Sequence, residues 1–358
     1  MRVVQILPQL NIGGVERGTL DLSRALIEEG HESFVISGGG ILVDELIRSG
    51  AKHYEIPVHI KSLRTLYLAK SLSEKISSID PDIVHVRSRM PAWVNYRALK
   101  MLQKKPLLIS TFHGLYSFPI YSKVMSFVDH SIAISKTVER YILDNYKLNK
   151  DDITVIPRGC DPIEFNKGVI NSVDKANIIE EFPQIVGKKV LTIPGRITKW
   201  KGVAEFIELL SLLDDNYHGL IVGPAAKSKK KYLNKLQNRV SSLNLEDKIT
   251  FTGSRRDIAN IYKISDVVFN LSQTPEPFGR TMIEAIACGA KVVGWNHGGA
   301  SEILTELFPQ GLVTLNDMNK LLKTTNRVAS SNSLPRENIF TANRMTSSTI
   351  SLYQNLIS

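Results

Sequence analysis

The chain has 358 residues, 43% of them hydrophobic, two cysteines and a formal net charge of +10. That length and apolar content suit two packed domains and exclude gross disorder. Cys160 and Cys288 exclude a disulfide framework and a thiolate metal cluster, and they fit a reducing, cytoplasmic setting. The positive charge leaves three kinds of partner open: nucleic acid, an anionic membrane surface or a phosphorylated substrate.

Residues 3–7 read as a buried strand, and with Pro8 directly behind them they are too short for a signal peptide. Asn11-Ile12-Gly13-Gly14-Val15-Glu16-Arg17 follows, with paired glycines that let a backbone approach an anion. Its spacing is not that of a nicotinamide-binding turn. A helix over 16–29 places Leu20, Leu22, Ala25 and Leu26 on one side and stops at Gly30. Residues 33–37 are strand-like, and 41–49 helical up to Gly50. Further strands are expected at 83–86, 107–111 and 131–134, the last followed by a helix over 136–146. The pattern restarts after residue 165, with strands at 189–193, 219–222, 248–251, 267–270 and 291–294. The alternation argues an α/β fold of two doubly wound, Rossmann-like domains with parallel sheets.

The expected division is a first Rossmann-like domain over 1–165, a polar linker over 166–187, a second domain over 188–335 and a helical tail over 336–358. That tail carries Met345, Ile350, Leu352, Tyr353 and Leu356. No apolar run reaches the length of a bilayer span, so membrane contact is expected to be peripheral, on the inner face of the cytoplasmic membrane.

The densest chemistry lies at 274–303. Glu276 and Glu284 bracket Pro277-Phe278-Gly279-Arg280-Thr281, a turn that opens a helix ending at Cys288-Gly289. A helix start gathers free backbone N–H groups that hold anions. Carboxylates beside a phosphate site suit a ligand that also carries hydroxyls, as a nucleotide sugar does. Gly195-Arg196-Ile197-Thr198-Lys199-Trp200-Lys201-Gly202 adds a guanidinium fork and a point charge suited to a diphosphate. Thr111-Phe112-His113-Gly114 sets a histidine at a strand's carboxyl end, where α/β sheets bind ligands. Arg87 and Arg89, in His85-Val86-Arg87-Ser88-Arg89-Met90-Pro91-Ala92-Trp93, project similarly if extended. They either grip an anionic acceptor or are plain surface arginines.

Together these segments resemble glycosyltransferase family 4, retaining enzymes of the GT-B fold. The family's E-x7-E pattern is matched by Glu276 and Glu284, with Phe278-Gly279 inside it, Glu284-Ala285-Ile286-Ala287-Cys288-Gly289 after it, and Gly298-Gly299-Ala300-Ser301-Glu302-Ile303 beyond. G-R-x4-K-G is matched at 195–202 and G-G-x-E-R at 13–17. Ala290 stands where the family commonly has proline.

The resemblance implies two domains facing across a cleft, with a C-terminal helix packing back on the first and domain closure assembling the site. It implies Arg196 and Lys201 on the diphosphate, aided by N–H groups at 279–281, with Phe278 and Arg280 also in the donor site. Glu284 would bond the ribose and Glu276 the donor-sugar hydroxyls. His113 would lie near the sugar's 6-hydroxyl, and the Gly13-Gly14 loop would face the acceptor and donor phosphates. The partners implied are a UDP- or GDP-sugar donor and a saccharide or lipid-linked acceptor. No cofactor and no metal are expected, because the nucleotide sugar is a substrate and Arg196 and Lys201 supply the positive charge. The 87–93 string and Ile156-Pro157-Arg158-Gly159-Cys160-Asp161 resemble a subgroup of lipopolysaccharide assembly. A non-catalytic nucleotide-sugar sensor, an epimerase and a phosphorylase are the competing readings.

Asp80-Pro81-Asp82 spells a metal-binding D-x-D, but its place between a helix and a strand argues a turn. The basic run 227–231 and the amphipathic stretch 118–127 are candidate contacts with anionic lipid. Aromatics do not interleave with the basic residues, which argues against nucleic acid.

Overall fold

The computed structural model describes residues 1–60, 63–116 and 119–358. The chain divides into two compact units, one formed by Met1–Gly159 with Phe340–Ser358 and the other by Cys160–Ile339.

Unit 1 alternates strand and helix: β1 (Arg2–Ile6), α1 (Gly14–Glu28), β2 (Glu32–Ser37), α2 (Val43–Arg48), β3 (Lys52–Glu55), α3 (Ala69–Ile79), β4 (Ile83–Val86), α4 (Arg89–Leu99), β5 (Leu107–Phe112), the short α5 (Pro119–Ser122), β6 (His130–Ala133), α6 (Lys136–Asn145) and β7 (Ile153–Val155). Its sheet is parallel, in the order β3-β2-β1-β4-β5-β6-β7. The order reverses between β1 and β4, so the loops leaving those two strands diverge and open a crevice at the carboxyl edge.

Unit 2 repeats the plan: α7 (Ser172–Glu181), β8 (Lys189–Pro194), α8 (Val203–Leu212), β9 (Tyr217–Val222), α9 (Lys230–Ser242), β10 (Ile249–Gly253), α10 (Ile258–Ile264), β11 (Val267–Asn270), α11 (Arg280–Ala287), β12 (Lys291–Trp295), α12 (Gly298–Leu307), β13 (Leu312–Val313) and α13 (Met318–Ser330). Its parallel order is β10-β9-β8-β11-β12-β13, with the switch between β8 and β11. The chain then returns to unit 1 as α14 (Ala342–Ile357), which starts at Thr341, whose hydroxyl caps the N–H of Arg344.

The apolar pattern dictates both cores. Val3, Ile83, Ile109 and Ile132 sit on one face of the first sheet, and Leu22 and Leu26 of α1 cover them. Met345, Ile350 and Tyr353 of α14 complete that layer. Each such side chain contributes about 1.5–3 kcal/mol through burial. The polar segment 166–187 is more than a connection. Asn171 caps α7 through Asp174 N, and Ile178, Phe182 and Ile185 pack with Val190, Leu220 and Ile261 in the core of unit 2. Its apolar residues are sparse but share one side, which a polar average conceals. β3, β7 and β13 also join the sheets at or near their edges, each four residues or fewer.

Asp80, Pro81 and Asp82 form the turn from α3 to β4. Asp80 ends the helix in a left-handed conformation, φ 46°, and Asp82 accepts the N–H of Arg2. Residues 227–229 form a 3-10 turn that leads into α9, whose first two residues are Lys230 and Lys231. Ser117 and Phe118, at the head of the 118–127 stretch, lie outside the described residues.

Candidate active site

In unit 2 the loops leaving β8 and β11 carry most of the candidate donor residues. After β8 the chain turns at Gly195, φ 134°, passes the exposed Arg196 and makes a short 3-10 turn over 199–201. Gly202 then starts α8 with φ 77°, against the carbonyl of Leu271, and a Cβ there would strike that oxygen. Lys201 Nζ donates to Glu276 Oε1 at 2.6 Å, and Ser272 Oγ donates to the same oxygen at 2.5 Å. Glu276 is 7% exposed, so this is a nearly dry ion pair, braced by the cation lying 4.5 Å from the Trp200 ring centre. Among the described residues Arg196 has no side-chain partner.

The loop after β11 ends at Gly279, whose φ of 112° disfavours other residues and leads directly into α11. No side chain caps this helix, so the N–H groups of Arg280 and Thr281 head it uncapped. Phe278 is buried. Glu284, one turn further, is also 7% exposed. Its Oε1 accepts from Arg280 Nε at 2.7 Å and its Oε2 from the hydroxyl of the fully buried Tyr262 at 3.4 Å. Burial raises the carboxyl's pKa, and the Arg280 charge opposes that rise.

Gly298 and Gly299, at the start of α12, press on the backbone of 275–278. Gly299 N donates to Glu276 O at 2.8 Å, and a Cβ on Gly299 would meet Phe278 Cα at 2.6 Å. These glycines therefore position the Glu276 loop by close backbone contact. His297 Nε2 lies 2.6 Å from the carbonyl oxygen of Ser272 and holds the same loop from another side. Cys160 and Cys288 are buried in this unit, and burial pushes their thiols up, to about 12 and about 11.

In unit 1 the remaining candidates gather at the carboxyl edge. Gly13 caps the start of α1 and Gly14 is its first residue, and Arg17 is held by Glu45 at 2.6 Å. His113 follows β5, with both ring nitrogens out of water and unpartnered among the described residues. Burial, then the charges of Arg158 and Arg87, drive its pKa well below the usual value, so the ring is neutral.

Arg87 and Arg89 do not project alike, because the chain passes from strand to helix between them. Arg87 is buried at the end of β4 and its Nη1 donates to Gln5 Oε1 at 2.6 Å; burial lowers its pKa to about 10. Arg89 starts α4, with its guanidinium 4.7 Å from the Tyr116 ring centre and 5.4 Å from that of Tyr121.

Several residues of these sites carry no sequence signal of their own. His85 is locked between Thr111 Oγ1 and the Tyr353 hydroxyl, both at 2.6 Å. Ser272, Tyr262 and His297 are equally silent. Arg158, inside the quoted 156–161 string, donates from Nη2 to the Gly14 carbonyl. A Cβ on Gly18 would meet Arg158 Nη1 at 2.7 Å, so that glycine makes room for the guanidinium. Arg158, Arg87, His85 and Thr111 line a cavity of about 20 Å³, room for about one water.

Residues 12–164 match the family described as Glycosyltransferase Family 4, and residues 174–344 match glycosyl transferases group 1. The chain belongs to glycosyltransferase family 4. This glycosyltransferase is similar to one from Rickettsia africae ESF-5, with a TM-score of 0.85 and 29% identity over 100% of this chain and 98% of that one. It shares its GT-B fold with Anabaena HepE, solved in complex with UDP, at a TM-score of 0.82 and 19% identity, covering 99% of this chain and 100% of that one. Among curated proteins it is 25% identical to the N-acetyl-alpha-D-glucosaminyl L-malate synthase of Bacillus anthracis, over 82% of this chain and 78% of that protein. Among the described residues of this family-4 enzyme, no helix is long and apolar enough to cross a membrane.

Proposed function

We propose that this glycosyltransferase moves a hexose-type sugar from a nucleoside diphosphate to a saccharide or glycolipid hydroxyl, with retention at the anomeric carbon. The carrying observation is the nearly dry Lys201–Glu276 pair beside the unpaired Arg196, at the sheet's switch point in unit 2. A ligand there must satisfy cations with oxyanions and a carboxylate with hydroxyls, and a sugar diphosphate does both. Its chemistry also agrees with the UDP complex of the HepE relative.

In this reading Arg196 and Lys201 hold the diphosphate, with the uncapped N–H groups of Arg280 and Thr281 at the start of α11. Glu284 accepts from the ribose hydroxyls, and Glu276 from the donor sugar. The anomeric carbon's bond to the β-phosphate oxygen breaks as its bond to the acceptor oxygen forms on the same face. The acceptor proton passes to the departing phosphate oxygen. Stabilising charge at that leaving group is the large catalytic contribution. Neutral His113 both donates and accepts, which suits sugar hydroxyls. Arg89 faces the acceptor, while Arg87 braces the crevice from beneath. Because Arg196 and Lys201 carry the leaving-group charge, turnover should persist in excess chelator. The role assigned is cell-envelope glycan synthesis, including lipopolysaccharide, on the 87–93 string and the positive charge.

A thermal-shift series with UDP, GDP, ADP and CMP, without metal, tests the donor site. A ligand that binds only the folded state raises stability with the logarithm of its concentration over Kd. UDP would point to glucose, galactose or N-acetylhexosamine donors, and GDP to mannose or fucose. No shift from any nucleotide in folded protein would overturn the reading. The anomer formed with the responding donor, read by NMR, tests retention.

A further inference from the structure

The chemistry outside the two crevices is concentrated along α4 and the 120–127 segment packed beside it. Trp93, Tyr96, Arg97 and Lys100 share one face of α4 at helical spacing. Trp93, Tyr96 and Phe127 form an aromatic cluster, with ring centres 5.2–6.4 Å apart. Cations rest over its edges, with Lys100 Nζ 4.4 Å from the Tyr96 ring centre and Lys123 Nζ 5.9 Å from that of Phe127. Around this cluster stand apolar side chains that a water-facing surface does not call for. Ile120 is 90% exposed, Met101 58% and Phe127 37%. A groove of about 640 Å³ runs alongside, walled by Tyr96, Leu99, Leu107 and Phe127 and rimmed by Lys100 and Lys105.

The charge of this strip is predominantly positive. Arg97, Lys100, Lys104, Lys105 and Lys123 are all exposed. Against them stand Asp80, paired with Lys104 at 2.9 Å, and Asp129, which lines the groove and accepts the N–H of Leu108 at 2.8 Å, so the cations outnumber the acids. Aromatic rings with a polar tip favour the headgroup level of a bilayer, and lysines reach outward to lipid phosphates from an apolar base. Arg89 opens α4 at the carboxyl edge of the sheet, and Lys100 lies about 16 Å further along, at 1.5 Å per residue. One helix therefore joins the acceptor residue to the apolar, cationic strip.

We propose that this face of unit 1 docks on an anionic lipid bilayer, which delivers a lipid-linked acceptor along α4 towards Arg89. The delivery step rests on the glycolipid reading above, but the docking does not. Charge complementarity selects the occupant, because a bilayer rich in phosphate headgroups satisfies the cations while its interface takes Ile120 and the aromatic edge. The basic run that leads into α9 lacks such an apolar partner and plays no part.

Co-sedimentation of the full chain with vesicles of phosphatidylcholine containing about a third phosphatidylglycerol tests this. Binding should be strong on those vesicles, weak on phosphatidylcholine alone, and lost as salt rises. The double variant Lys100→Gln/Lys105→Gln should bind about 25-fold more weakly, at roughly fivefold per lysine. Ile120→Asp should also weaken binding, and all variants should keep the parent Tm and the parent rate of donor hydrolysis. Binding that is equal on both vesicle types, or unchanged in these variants, overturns the proposal. So does binding to native membranes but not to protein-free vesicles, which would make the partner a protein. A failed nucleotide shift would sink the transferase reading while leaving the vesicle result intact, so the two failures can be told apart.

Discussion

The two buried carboxylates of unit 2 make different demands on their partners. Glu276 depends on Lys201, and removing one member of a nearly dry pair strands the other charge at a cost of about 3–5 kcal/mol. Lys201→Met should therefore lower both Tm and kcat, the latter by about 10²–10³, as for loss of a leaving-group donor. The double variant Lys201→Met/Glu276→Gln should regain most of the Tm and none of the kcat, since no unpaired charge remains. Recovery of activity with stability would remove Lys201 from the chemistry. Glu284 poses a titration question instead. Burial raises its pKa from the ordinary 4.5, so folding takes up a proton there in the window between 4.5 and the raised value. Its contribution to ligand-free stability is present below that window and lost as pH rises through it. Donor binding needs the ionised form and follows the opposite sign, weakening as pH falls through the same window. Arg280→Gln removes the charge that opposes the rise, so the acid limb of donor affinity should move to higher pH, with Arg280→Lys restoring most of it. Isothermal titration with nucleotide across pH reads this directly, and an unmoved limb would leave Arg280 a surface residue.

The elements carry their own lesson about what a sequence discloses. Buried strands such as β1 and β8 stand out as short apolar runs, and the turns at Gly195, Gly202 and Gly279 are written in glycines whose φ values are positive. The candidate donor residues were legible because they cluster at the ends of those strands. Other features depend on contacts remote in sequence, which no local pattern encodes. Periodicity gives α14 its apolar face, but nothing local marks Tyr353 as the partner of His85, 268 positions away. Segment 166–187 reads as polar because only one side of α7 is apolar, and the divergence of Arg87 from Arg89 depends on where α4 begins. The His85–Tyr353 bond makes a prediction at this scale. His85 is buried and held neutral, and its Nδ1 loses its partner when the hydroxyl is removed. Tyr353→Phe should cost about 1–3 kcal/mol, the penalty for orphaning a buried polar atom, and leave nucleotide binding in unit 2 unchanged. Chemical denaturation of the variant beside its parent gives the number. A loss below a few tenths of a kcal/mol would mean that the ring finds another partner.

At the scale of the whole molecule, the two units differ in how the chain builds them. Unit 2 is one continuous stretch, Cys160–Ile339, whereas unit 1 needs Phe340–Ser358 returned to it after unit 2 is complete. The core of unit 2 holds Phe182, Val190, Leu220 and Ile261, and all of them belong to that stretch. The core of unit 1 holds Val3, Leu22 and Ile83 together with Met345, Ile350 and Tyr353, so a fragment ending at residue 159 exposes the face that α14 covers. Three large side chains at about 1.5–3 kcal/mol each equal much of the 5–15 kcal/mol that holds a domain folded. Residues 160–339 expressed alone should therefore fold cooperatively, and their Tm should rise with the nucleotide that stabilises the full chain, because Arg196, Lys201, Glu276 and Glu284 all lie within them. Residues 1–159 alone should show a broad, weakly cooperative transition that sharpens when 340–358 is joined through a short linker. If the 160–339 fragment folds but ignores every nucleotide that shifts the full chain, donor binding needs residues of unit 1. His113 and the Gly13-Gly14 loop would then be the first to substitute, since they are the unit 1 groups whose chemistry suits the sugar and the phosphates.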